Sequence, residues 1–145
     1  MSDRYHGFRF LEHTTDAEIE AFGKNLDEAF ENAARAVEET MVDLETIDPI
    51  EEREIAVMGK DLETLLYSWI ESLISLQEIE GMLVSKIECK VSEQGSGYEL
   101  HARLRGEKFS PEKHEQKTAI KAPTFHDMKI IRSENAVTVR FLVDL

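Results

Sequence analysis

The chain has 145 residues, 41% hydrophobic and 32% charged, with 30 Asp and Glu against 17 Lys and Arg and a formal charge of -13. That length suits one domain with its own core, and the acidic balance excludes a protein whose main task is to neutralise nucleic-acid phosphates, so no strong direct nucleic-acid binding is expected. One cysteine, Cys89, excludes an internal disulfide and a multi-cysteine zinc site, and no signal peptide or membrane-length apolar run is present, so a cytoplasmic location away from the membrane is expected.

In chain order, Phe8 and Phe10, then Ile19 and Ala21, predict a first pair of strands joined by the polar stretch His13 to Asp16. Asn25 is a good N-cap with Glu28 three residues later, and Leu26, Ala29, Phe30, Ala33, Ala34, Val37 and Met41 recur at helical spacing. Asp27 falls on the exposed side of that helix. Ile55 and Val57 mark a short strand. Asp61 opens a second helix with an apolar stripe from Leu62 to Ile74, and Gly81 is its stop. Ile87, Cys89 and Val91, the turn Gly95-Ser96-Gly97, and then Tyr98 to Leu104 read as a hairpin with one wet face. Cys89 lies on its apolar side, as a buried structural thiol would. Met128 and Ile130, with Val137 to Val143, predict a closing pair around Ser133-Glu134-Asn135. No internal repeat or linker is evident. Strands at both ends with two helices between them predict an α+β, single-domain sheet-and-helix sandwich with two main amphipathic helices.

The chain has no phosphate-cradling glycine loop, nucleophile elbow or His-Glu-x-x-His helix. Polar residues gather instead in Glu12-His13-Thr14-Thr15-Asp16 and at the end, where Asp144 precedes Leu145. If the first and last strands are neighbours, Asp16 and Asp144 bring hard oxygens together, and their repulsion calls for a cation or a basic group. Oxygen donors without thiolates suit calcium, magnesium or manganese. Lys117 and Lys121 are read as surface lysines, and His114 and His126 as surface or turn residues.

Phe10-Leu11-Glu12-His13-Thr14-Thr15-Asp16, Leu26 to Ala34, Asp61 to Trp69, Glu80-Gly81-Met82-Leu83, Pro111 to His114, Ile120 to His126 and the Phe141 to Leu145 ending resemble, in order, the blocks of the archease family. Glu12, Thr15, Pro123 and Phe125 stand where that family usually has Asp, Ala, Val and Tyr, and Leu142-Val143 shifts the aromatic usually seen before the last Asp. The resemblance implies a non-enzymatic accessory protein of an RtcB-type RNA ligase in tRNA splicing and RNA repair. Such a protein promotes ligase guanylylation and multiple turnover. The resemblance further implies a divalent metal, calcium ahead of magnesium or manganese, held by Asp16, Asp144 and a main-chain or terminal oxygen of Leu145. Glu12, His13 and Lys121 would then face the ligase. A chaperone-like or general protein-binding module is the alternative, and a metal-dependent hydrolase acting through Glu12, His13 and Asp16 is a weaker third.

Overall fold

The computed structural model describes residues 7–11 and 16–145. Among them the elements are β1 (Phe8–Leu11), β2 (Asp16–Gly23), α1 (Leu26–Met41), a 3-10 turn (Leu44–Thr46), β3 (Glu51–Gly59), α2 (Leu62–Glu80), β4 (Met82–Gln94), β5 (Gly97–Lys108), β6 (Ala122–Arg132) and β7 (Val137–Asp144). The strands form two antiparallel sheets, ordered β1-β2-β7-β6 and β3-β5-β4. α1 packs on β2 and β7 of the first sheet and on β4 of the second; α2 packs on β6 of the first and on β3, β4 and β5 of the second. The α+β sandwich therefore has three layers, with the helices in the middle and one face of each sheet turned outward.

The middle position explains the composition of α1. Ala29, Ala33, Ala34 and Ala36 are fully buried beside Phe30 and Val37, because a helix covered on two sides needs small residues where the sheets close in. Trp69 of α2 lies fully buried, and its indole N–H donates to the Phe30 carbonyl at 2.8 Å, joining the two helices. No described helix is long and apolar enough to cross a membrane.

Both helices are entered by the same chemistry. Asn25 Oδ1 accepts from the Glu28 N–H at 2.9 Å, and Asp61 Oδ1 accepts from the Thr64 N–H at 2.7 Å. Two residues before each cap stands a glycine. A Cβ on Gly23 would lie 2.3 Å from the Ala29 nitrogen, and one on Gly59 would lie 2.4 Å from the Leu65 nitrogen. Gly23-Lys24-Asn25-Leu26 and Gly59-Lys60-Asp61-Leu62 thus make the same strand-to-helix turn. α2 ends as expected on Gly81, in the left-handed region at φ 68°.

Three segments are longer than the alternation of apolar residues suggests. β3 runs over the nine residues Glu51–Gly59 rather than a short stretch around Ile55 and Val57, its pairing with β5 continuing to Glu51 and Gly59. β4 begins at Met82 rather than near Ile87 because a bulge between Val84 and Lys86 shifts its phase against β5. β6 begins at Ala122, six residues before Met128, because an irregularity between Thr124 and Lys129 breaks the period.

The free edge of β4 is closed by side chains of α1. Asp27 Oδ1 accepts from the Val91 N–H at 2.8 Å, Glu31 Oε2 from the Cys89 N–H at 2.9 Å, and Glu38 Oε1 from the Val84 N–H at 2.6 Å. Asp27 is therefore a partner of the strand rather than an exposed charge, a correction whose cause is that α1 is covered on both flanks. The half-buried Cys89 thiol contacts the Asp27 carbonyl at 3.2 Å, and burial, with Glu31 and Asp27 nearby, raises its pKa far above the usual thiol range. This matches the reading of an inert structural thiol.

Candidate functional site

The pairing of β2 with β7 sets Asp16 directly opposite Asp144. Ile19 and Ala21 of β2 and Val139, Phe141 and Val143 of β7 belong to the core, so the alternating partners, Asp16 and Asp144 among them, share the outer face of the sheet. Antiparallel partners sit about 4.5–5.5 Å apart between Cα atoms, close enough for like charges to repel. Asp16 is half-buried, Asp144 is exposed, and Leu145 is 37% exposed.

β6 completes this end of the sheet. Ala122 is the partner of Asp144 on its other side, and the Lys121 N–H donates to the Asp144 carbonyl at 2.8 Å. The register thus brings Asp16, Asp144, Lys121 and the chain end together, with the Lys121 side chain exposed. Glu12 and His13 lie outside the described residues.

Two further rows follow on the same face. Leu11, Glu18, Leu142 and Thr124 form the next, and Arg9, Glu20, Arg140 and Lys129 the one after. Glu20 is only 4% exposed. Its Oε1 accepts from Arg9 Nε and Nη2, both at 2.7 Å, and its Oε2 accepts from Arg140 Nη2 at 2.6 Å and Nε at 3.1 Å. Burial opposes its ionisation, but the Arg140 and Arg9 guanidiniums outweigh that and hold its pKa below the usual carboxylate range. The sequence reading missed this clamp. Its visible signal is the alternation of Asp16, Glu18 and Glu20 along one strand, with Arg9 and Arg140 invisible until the strands are paired.

The donor set at the sheet end fits a hard cation in kind: two carboxylates on one face and oxygens of Leu145, with no thiolate nearby. Among the described residues, no group of three or more His, Cys, Asp and Glu side chains is gathered to hold a metal. Two acids and the main-chain oxygens beside them are what these residues provide.

The remaining polar residues of the sequence reading serve the fold. His114 is buried rather than on the surface: its Nδ1 accepts from the Ser110 N–H at 2.9 Å, which places the ring proton on Nε2, 3.0 Å from Glu107 Oε2. Lys117 Nζ donates to the Glu39 carbonyl at 2.8 Å and its N–H to the Met41 carbonyl at 2.8 Å, tying the segment before β6 to the end of α1. His126 is exposed beside Asp127, and Phe125 stacks on Tyr67 with ring centroids 4.3 Å apart.

Comparison with known proteins gives the family and the fold. Residues 8–145 match the sequence profile of the archease protein family. The archease of Sulfurisphaera tokodaii is 48% identical over 138 residues, covering 95% of this chain and 98% of that protein. The archease of Pyrococcus abyssi is 44% identical over 119 residues, covering 82% and 84%. The solution structure of Methanobacterium thermoautotrophicum protein 1598 superposes with a TM-score of 0.84 at 34% identity, over 97% of this chain and 99% of that one. With the profile spanning β1 to the last residue, this chain belongs to the archease family.

Proposed function

We propose that this protein is a cytoplasmic activator of an RtcB-type RNA ligase in tRNA splicing and RNA repair, promoting ligase guanylylation and multiple turnover. The observation that supports it is the direct opposition of Asp16 and Asp144 on one sheet face. Two like charges in register destabilise the strand pair unless something positive compensates them. Asp16, Asp144 and an oxygen of Leu145 would hold a divalent cation, calcium ahead of magnesium or manganese. Bound there, the ion would supply a fixed positive charge near the phosphoryl chemistry of the ligase. Lys121, on the far side of Asp144, adds a mobile positive charge at the same end, and Glu12 and His13 complete the surface offered to the ligase. The guanylyl transfer itself stays with the partner.

Thermal melting with and without calcium, magnesium and manganese tests the cation site. The unaltered protein should gain stability with at least one ion, since an ion bound only by the native state raises the melting temperature. Asp16→Ala and Asp144→Ala should lose that gain. Glu78→Ala, which removes an exposed charge on α2, should keep it. An equal gain in all four proteins would place the ion elsewhere.

A further inference from the structure

The outer face of the β1-β2-β7-β6 sheet carries a charged unit that the proposed cation site does not use. Four guanidinium nitrogens, within 2.6 to 3.1 Å, saturate the Glu20 carboxylate, and the two arginines come from the strands on either side. Arg140 also approaches a second acid, with its Nε 3.9 Å from Glu18 Oε1. Glu18 stands between the clamp and the aspartate pair, two residues from Asp16 on the same strand face. Arg140 is thus held between an acid of its own row and one that leads toward Asp16 and Asp144.

We propose that Glu20 is a positioning residue for the Asp16–Asp144 site, holding the Arg9 and Arg140 guanidiniums in their own row and away from the acids that would receive a cation. The inference rests on reading that pair as a cation site. Four residues along a strand span about 13 Å, beyond the roughly 8 Å screening length at physiological salt. While Glu20 holds both arginines, its carboxylate partly neutralises their charge within their own row. A released Arg140 would turn to Glu18 and onward along β7, inside the screening length, and would compete with a cation for the same negative field. The clamp also joins β1, β2 and β7 side by side, so a purely mechanical role has to be separated from this electrostatic one.

Calorimetric titration with calcium chloride, well below the melting temperature, separates them for the unaltered protein, Asp16→Ala, Glu20→Gln and the double variant Glu20→Gln/Arg140→Met, each checked for native sheet content by circular dichroism. The unaltered protein should bind and Asp16→Ala should not. Glu20→Gln should bind about three- to tenfold more weakly at low ionic strength, with the difference shrinking as salt rises. The double variant should recover to within about twofold of the unaltered protein, because the competing charge is gone. Binding by Glu20→Gln equal to that of the unaltered protein overturns the proposal. So does a double variant that binds no better than the single one, since a mechanical brace would be damaged further by losing Arg140. Should Glu20→Gln not fold, Arg140→Met alone, which keeps the Arg9 contact, must bind no more weakly than the unaltered protein, and weaker binding overturns the proposal. Absence of calcium binding in the unaltered protein removes the cation reading and this inference with it, a result read without any variant.

Discussion

Glu38 shows how far burial sets the chemistry of a single residue in this fold. It is fully buried on α1; Oε1 accepts from the Val84 N–H at 2.6 Å, and Oε2 has no partner. Burial lifts its pKa from 4.5 to about 8, with the Val84 bond opposing only part of the shift. The folded state therefore holds this proton more tightly than the unfolded chain does. The stabilisation is fully present below about 4.5 and is lost as pH rises through about 8. Glu38→Gln keeps an acceptor for Val84 and removes the ionisation. At pH 9 it should be more stable than the unaltered protein by an amount on the order of a few kcal/mol, and at pH 4 the two should nearly coincide, as read by denaturant unfolding at both values. A constant difference across that range would show that Glu38 does not titrate between the two states. Glu107 behaves oppositely. Burial opposes its ionisation, but the Asp48 N–H, Lys113 and His114 hold its pKa at about 2, so its contribution is lost as pH falls from 4.5 through that value.

Elements in this protein are joined by acidic side chains as well as by the core, and the α1–β4 seam is the clearest case. An edge strand presents unpaired N–H groups, and here Asp27, Glu31 and Glu38 receive three of them. Asp27→Ala should destabilise the fold by about 1–2 kcal/mol, because the Val91 N–H loses its acceptor. It should also speed hydrogen exchange at Val91 while leaving exchange in the β5 strand unchanged; unchanged exchange at Val91 would show that water replaces the carboxylate without loss. The seam was not legible in the sequence, where Asp27 sits on a polar helix face and reads as solvated. The caps at Asn25 and Asp61 and the stop at Gly81 were legible, since each depends on residues within four positions of itself. The three-layer order was not, because it is set by which strands each helix meets. The opposition of Asp16 and Asp144 was legible only as a condition on the first and last strands being neighbours; the structure instead pairs the last strand with the second, β2, which carries Asp16. The Glu20 clamp needs three strands in register, which no spacing in the chain reveals.

For the whole molecule, the formal charge of -13 disfavours contact with RNA phosphates, so the proposed role runs through a partner protein rather than direct RNA binding. The fold brings Asp16, Asp144 and Lys121 together at one end of the first sheet, with the two aspartates on a face that no described helix covers. On the proposed reading, function at that end depends on two acids from strands whose register the rest of the sheet maintains. The direct test is guanylylation of a purified RtcB-type ligase with GTP and manganese, at substoichiometric amounts of this protein or of its Asp16→Ala, Asp144→Ala and Glu78→Ala variants. Stimulation by the unaltered protein and Glu78→Ala, with at least a tenfold loss in both aspartate variants, which is about 1.4 kcal/mol or more of lost transition-state stabilisation, is the predicted result. Equal stimulation by all four proteins, or none by the unaltered one, would contradict the account.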